Sequence, residues 1–531
     1  MNQLYRLILI LLMGLCSAKA QTITGNISDQ SGNALPFASI YLAEEKTGTS
    51  ADDQGNFELK LPGNKETYTL RISFMGFLNQ EIKINPDQLS KTLEVKLEEL
   101  PNTMDEVVVS GTLKAMSKMA SPVPVEVYSP AFFKKNPTTN VYEALQNVNG
   151  VRPQLNCQVC NTGDIHINGL EGPYTMVLID GMPIVSSLAT VYGLSGIPNS
   201  IIERMEVVKG PASSLYGSEA IGGLINIITT DPATAPMFSL DLMSTTWLEH
   251  NIDLSGRFTL GDKVDVLTGI NYFNYDNPVD LNKDNFTDLA LQERFSLFQK
   301  YRIKRDHGRL FTLAGRYYTE NRWGGEMQWT SEDKGGTDVY GETIQTERWE
   351  AMGQYQLPFE EKLLFSFSAN GHYQDSAYGD LLYVADQKIG FGQLTWDQEN
   401  QHHNWLAGTA VRYTYYDDNS PATEIPQSNF LPGIFLQDLI KFSEKNELLL
   451  GARWDYHMEH GNIFTPRIAY KRNFSPDAVF RVNAGTGFRV VNLFTEDHAA
   501  LTGSRDVVIL EDLKPEQSYN INLNFSQRYY L

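Results

Sequence analysis

The sequence predicts a mainly β chain, with a small β-sandwich first and a transmembrane antiparallel β-barrel last. Three observations carry this. Hydrophobic residues make up 42% of the 531, yet the long apolar stretch free of charge is Leu7 to Leu15, too short for a membrane helix. Residues 21 to 97 divide into short alternating strands between turn signals. From about residue 236 onward, apolar and polar residues alternate with period two in segment after segment. The 43 Lys and Arg against 64 Asp and Glu leave a net charge of -21. That balance excludes a nucleic-acid partner, which needs clustered cations. With 26 Tyr, 26 Phe and 7 Trp the chain has ample surface to bury, so disorder is excluded too.

Residues 1–20 form a secretory signal peptide. Arg6 precedes the apolar run and Ala18-Lys19-Ala20 makes a cleavage site, leaving Gln21 as the new N-terminus. Cleavage removes Arg6 and Lys19 and deepens the net charge to -23. Cys16 leaves with the signal, so Cys157 and Cys160 reach an oxidising setting.

Residues 21–97 form the sandwich. Ile23 to Ile27, Ala38 to Leu42, Phe57 to Leu61, Tyr68 to Phe74 and Glu81 to Ile84 read as strands, with a turn at Asp52 to Asn56. Pro36-Phe37-Ala38-Ser39-Ile40, Gly48-Thr49 and Asp53-x-Gly55-x-Phe57 resemble the carboxypeptidase-regulatory-like domain. The resemblance implies a structural or interactive module. No zinc-peptidase ligand set accompanies it.

Residues 98–112 are a linker carrying a short β-former segment, Met104 to Thr112. On its own chemistry this strand could pair with an exposed sheet edge or add to the sandwich. The residues that follow decide between the two. Val148-x-Gly150-Val151, Ile165-His166-Ile167-Asn168-Gly169, Val177-Leu178-Ile179-Asp180-Gly181-Met182-Pro183 and Ile202 to Gly217 with Ala220 to Thr229 occur in order. Together they resemble the plug of a TonB-dependent outer-membrane receptor, siderophore and colicin receptor-like and of Bacteroidetes style. The resemblance implies an α+β plug over residues 113–232. It also implies a TonB box at Asp105, Glu106, Val107, Val108, Val109, Ser110 and Gly111. Arg204 and Glu206 place charge in an otherwise apolar strand. They are expected to latch the plug to hydrated, charged groups of the inner barrel wall. Cys157-Gln158-Val159-Cys160 leaves three readings open: a disulfide stapling a plug loop, a metal site with His166 or Met176 nearby, or reduced bystanders.

Residues 233–531 form the barrel. Leu448, Leu450, Ala452, Trp454 and Tyr456 alternate with Gly451, Arg453, Asp455 and His457. Strands of roughly ten residues with one apolar face are the pattern of a barrel in lipid. Short turns at 261–263, 304–308, 443–446 and 473–477 alternate with longer loops at about 276–290, 321–340, 417–429 and 489–514. The long loops hold Trp323, Met327 and Trp329, candidate first contacts for a ligand, together with Asp333, Asp417, Asp418 and Glu424. Phe464-Thr465-Pro466-Arg467, Gly485 to Arg489 and Leu513-Lys514-Pro515-Glu516 again resemble the receptor family. About 14 strands are expected where plugged transporters have about 22. A C-terminal truncation is therefore expected.

No nucleophile–base constellation, phosphate loop or dinucleotide fingerprint stands out, so neither an enzyme nor a cofactor is expected. The resemblance implies energy-coupled import of a scarce ligand, a ferric siderophore by default. The implied partners are TonB, energised by inner-membrane ExbB and ExbD, and outer-membrane lipid, with the N-terminal module in the periplasm. Haem is an alternative: Phe488-Arg489-Val490-Val491 and Leu510-Glu511-Asp512-Leu513 stand where haem receptors carry two boxes, with His498 between them. Copper or another metal through Cys157 and Cys160 is a second alternative, and a passive porin or adhesin a third.

Overall fold

The structure is a computed structural model. It describes residues 21–528 apart from 31, 43–46, 63–66, 75–76, 78–79, 86–91, 99–105, 158, 160, 186–193, 421–422, 424, 492–509 and 512. The signal peptide, Asp105, Cys160, Glu424 and His498 lie outside the described residues. The chain divides into two compact units after Glu106.

The first unit is built from two sheets. Gln21–Asp29 runs between Asn56–Leu61, antiparallel, and Leu93–Leu97, parallel. The second sheet orders Gly48–Ser50, Ser39–Leu42, Tyr68–Ser73 and Gln80–Ile84. Period-two alternation sends Phe57, Leu59 and Leu61 inward against Ile23, Ile40, Leu70 and Ile72 to make one core. Leu93–Leu97 is a strand that the sequence reading did not name. The predicted turn at Asp52 is built on its carboxylate, which accepts the amides of Gln54 at 2.9 Å and Asn56 at 2.8 Å. Gly55 sits there at φ 79°, where a Cβ would lie 2.4 Å from the Ile27 carbonyl oxygen.

The second unit begins with the plug. Its central sheet has the order Glu126–Tyr128, Ile202–Lys209, Gly223–Thr229, Thr175–Ile179 and Met182–Val185. Gly223–Thr229 and Thr175–Ile179 are parallel; the other pairs are antiparallel. The inner strands are apolar on both faces and pack into two clusters, one around Ile179, Met205 and Ile227, the other around Leu178, Val208 and Leu224.

The barrel wall is a 14-stranded sheet in strict sequence order, from Phe238–Ser244 to Glu516–Gln527. Every neighbouring pair is antiparallel. Its burial is the reverse of a soluble sheet. In Asn446–His457, Arg453, Asp455 and His457 are buried, whereas Leu450, Trp454 and Tyr456 stand 38–42% exposed. Apolar residues facing outward belong to a strand bathed in hydrocarbon. Several strands are longer than the roughly ten residues expected, Leu381–Glu399 reaching 19. About ten suffice to cross the hydrocarbon, and the surplus continues beyond it. The strand ends that flank the long connections at 276–290, 326–340, 419–426 and 490–515 lie at one end of the sheet.

One outcome follows for the sandwich. Hydrogen bonds from the Asn56 and Gln54 amides hold the Asp52 carboxyl below its ordinary range. A depressed carboxylate stabilises its turn fully above its unfolded pKa and loses that contribution as pH falls through the folded one. The protection of the Asn56 amide, taken relative to its intrinsic exchange rate at each pH, should therefore fall on acidification below the usual carboxylate range. In Asp52→Asn that acid dependence should disappear.

Candidate functional site

The strand Ile202–Lys209 holds Glu206 beneath the first residues of the second unit. Val107–Val108 pairs with Met116–Ser117, and the chain then turns over the plug sheet. Glu206 Oε2 accepts the Val109 and Ser110 amides, both at 2.9 Å, and the Ser110 hydroxyl at 2.7 Å. Arg204 is on the same face two residues earlier, and its Nε donates to Glu206 Oε1 at 2.9 Å. Asn226, opposite Glu206 on the next strand, donates to Ser110 Oγ at 2.9 Å. Tyr216 donates its hydroxyl to the Ser110 carbonyl at 3.1 Å. Burial, with the Glu206 charge nearby, pushes that phenol far above its ordinary pKa, so it keeps the proton it donates. Glu206 is completely buried, which is tolerable because an arginine and three further donors surround it.

This corrects one expectation. Arg204 and Glu206 bind each other, Glu203 and the 109–110 segment, so they clamp that segment to the plug rather than the plug to the wall. The plug is joined to the wall by inward-facing residues of the barrel strands. Lys300 donates to Asp180 at 2.9 Å, Arg294 to the Thr139 carbonyl at 3.1 Å, Arg481 to the Ser121 carbonyl at 2.8 Å and Lys471 to the Ala120 carbonyl at 2.7 Å. Asp253 accepts the Asn199 and Ser200 amides at 2.6 and 3.1 Å. Most of these partners are plug backbone groups. Asp180 apart, no side-chain charge in the plug motif could have announced them.

Where the plug residues Ser218 and Glu219 approach the wall lies a cavity of about 90 Å³. Arg412, Tyr416, Gln427 and Asn429 line its wall side, toward the end that carries the long loops. Arg412 Nη2 donates to Glu219 at 3.2 Å, and Glu219 adopts φ 77°, a strained value for a residue with a Cβ. Tyr383, Tyr416 and Asp418 form a chain of hydrogen bonds of 2.8 and 2.6 Å. Asp417 and Asp418, expected in a loop, end the strand His403–Asp418. The sequence reading missed Arg412, Tyr416 and Asn429. Strand parity marks them as inward, although they lie in strands and not in the long loops.

The predicted ligand contacts Trp323, Met327 and Trp329 fall elsewhere. Trp323 lies near the end of the strand Phe311–Gly325 and has the parity of the outward Leu313 and Tyr317, not of Arg316 and Arg322. Trp329 is buried, its ring 5.1 Å from that of Trp323, and fills the space that the absent side chain of Gly341 leaves. Met327 donates its amide to the Asn285 carbonyl at 2.9 Å. Lys334 of the same loop reaches the outward Asp375 at 2.9 Å, so this loop folds against the outer wall. Cys157 ends the strand Val151–Cys157 opposite Thr162. Of the residues named beside the cysteines, His166 is bound to Asp164 at 3.0 Å and Met176 lies in the plug core.

Residues 244–530 match the family described as TonB dependent receptor-like, beta-barrel. The chain belongs to this family. Residues 117–224 of the receptor match the TonB-dependent receptor plug domain, and residues 23–109 the CarboxypepD_reg-like domain. The receptor is 25% identical over 479 residues to the iron-regulated outer membrane virulence protein of Vibrio cholerae serotype O1, covering 83% of this chain and 70% of the relative. It is 24% identical over 413 residues to the vitamin B12 transporter BtuB of the same species, covering 72% of this chain and 62% of that one. Among solved structures, the siderophore receptor PiuA from Acinetobacter baumannii superimposes with a TM-score of 0.59 at 14% identity, over 79% of this chain and 72% of that one; this likeness bears on the fold. The receptor is an outer-membrane protein of a transporter and receptor family, and that family works with TonB and binds small ligands.

The clamp can be tested. Glu206→Ala leaves the Ser110 donors buried without their acceptor and Arg204 with Glu203 alone, and should cost about 3 kcal/mol. A spin label at Val107 should gain mobility in Glu206→Ala relative to the parent. An unchanged spectrum would mean that other contacts hold the segment.

Proposed function

We propose that the receptor imports a ferric siderophore across the outer membrane, with TonB supplying the force through residues 105–111. The observation that carries this reading is the Glu206 clamp. A segment of strand-forming residues is tied by its backbone to the central plug sheet, so a pull on it would be delivered to the plug. By strand addition, TonB would take Val107 to Val109 as an added strand. The energy would come from ExbB and ExbD in the inner membrane, and the N-terminal module would lie in the periplasm.

The wall side of the cavity supports a polar, aromatic-rich ligand. Tyr416, Gln427 and Asn429 line it with polar groups, Tyr383 backs Tyr416 through a hydrogen bond, and Arg412 suits an anionic chelate. The siderophore receptor among the structural neighbours and the iron-regulated relative favour iron. The similarity to a vitamin B12 transporter makes a corrinoid the competing cargo. The domain limits 21–97, 98–112, 113–232 and 233–531 are part of the same reading.

Uptake of radiolabelled ferric siderophore by cells producing the full-length receptor tests the proposal. Val108→Pro removes strand-pairing capacity and should abolish uptake while leaving surface binding of the ligand intact. Undiminished uptake in Val108→Pro would end the energy-coupled reading. Uptake of cobalamin with none of siderophore would reassign the cargo. Arg412→Ala should weaken binding by about tenfold if the guanidinium meets an anionic chelate.

A further inference from the structure

The hairpin between the strands Asn446–His457 and Gly461–Ser475 carries His457, Glu459 and His460. One ligand atom from each of the three lies within 4.8 Å of the others. Two imidazoles and a carboxylate are the donor set of open zinc sites. The turn lies at the same end of the sheet as the long loops, beside the cavity already described.

The ring of His457 is prepared by its surroundings. His457 is buried and faces inward. Its Nδ1 accepts the amides of Glu459 and His460 at 3.2 and 3.3 Å. An imidazole that accepts at Nδ1 carries its proton on Nε2. Nε2 meets the Asn429 side-chain amide at 2.7 Å. With the amide nitrogen toward the ring, Asn429 Oδ1 is buried without a partner. Rotation of the amide by half a turn lets Nε2–H donate to Oδ1 and places Nδ2 where Oδ1 has no partner. An outer hydrogen bond of this kind fixes tautomer and ring orientation in metal-ligating histidines. The lone pair of Nδ1 faces the backbone of the turn, where it accepts the Glu459 and His460 amides, and a cation bound there would displace both.

His460 stacks on His457, with ring centroids 4.4 Å apart. Glu459 is exposed and His460 half-buried, so both can rotate. Ligand atoms around a tetrahedral zinc ion are roughly 3.4 Å apart, given bonds of about 2.0–2.2 Å. Closing from the present spacing requires rotation of Glu459 and His460 and release of the two backbone amides from His457 Nδ1.

The geometry points to a site for a divalent transition cation, of the zinc, copper or nickel class, formed by His457, Glu459 and His460 and oriented by Asn429. Imidazole donors select these ions over magnesium or calcium. Three protein ligands leave one position for a donor atom of an arriving molecule. Asn429 also lines the cavity above the plug, so the cation and the cavity share a wall residue. This site is independent of the cysteine pair and of the cargo proposed above.

Zinc chloride titrated into the purified, tag-free receptor carrying Cys157→Ser and Cys160→Ser provides the test. One equivalent should bind, as read by competition with a chromophoric chelator. His460→Ala and Glu459→Gln, both in the turn, should weaken it by more than about tenfold, and Asn429→Ala by about tenfold. Cobalt in place of zinc should give the visible absorption of a four-coordinate nitrogen and oxygen site, lost in His460→Ala. Absence of bound zinc in the parent, or zinc retained undiminished in His460→Ala, would overturn the assignment.

Discussion

Hydrocarbon offers no hydrogen bonds, and the architecture of the second unit follows from that constraint. Each wall strand between the first and the last satisfies its backbone through its two neighbours, and its side chains divide by parity between lipid and lumen. Leu450, Trp454 and Tyr456 take the lipid side; Arg453, Asp455 and His457 take the other. The lumenal wall is therefore polar. A plug inside it must present something that polar side chains can bind, and it presents backbone carbonyls and amides.

That division explains why the plug can be both held and movable. Its apolar cores are internal, centred on Met205 and Ile227 and on Leu178 and Val208. Its contacts with the wall include many separate hydrogen bonds and ion pairs, each exchangeable for water. The segment that begins at Val107 is held by a different device, a single buried carboxylate with several donors. Removing one member of such a group exposes the others to a dry environment, so it behaves as a unit.

The fold was legible to an unusual depth. Alternation located the wall, and turn signals located the sandwich, apart from Leu93–Leu97. The plug's order of glycines and apolar runs identified that domain. The site was legible in part. Residues 105–111 were singled out, but their anchor was not, because Glu206 and Ser110 are 96 residues apart in the chain. Glu206 looked like a charge awaiting the wall; its position under an incoming segment depends on three strands meeting. For the tryptophans at 323 and 329, a loop position does not reveal whether the loop folds over the lumen or over the outer wall.

Local pattern therefore determined which residues lie in strands, which face of each strand meets lipid, and which family the chain resembles. These are properties of neighbours two residues apart, which a linear sequence records directly. Tertiary structure alone decided the partners: Glu206 with Ser110, Arg481 with the carbonyl of Ser121, Arg412 with Glu219, and His457 with Asn429. Each joins residues far apart in the chain, and several end on a backbone group that every residue possesses. Composition and spacing carry no trace of such a contact until the sheet curls and brings its wall against the plug.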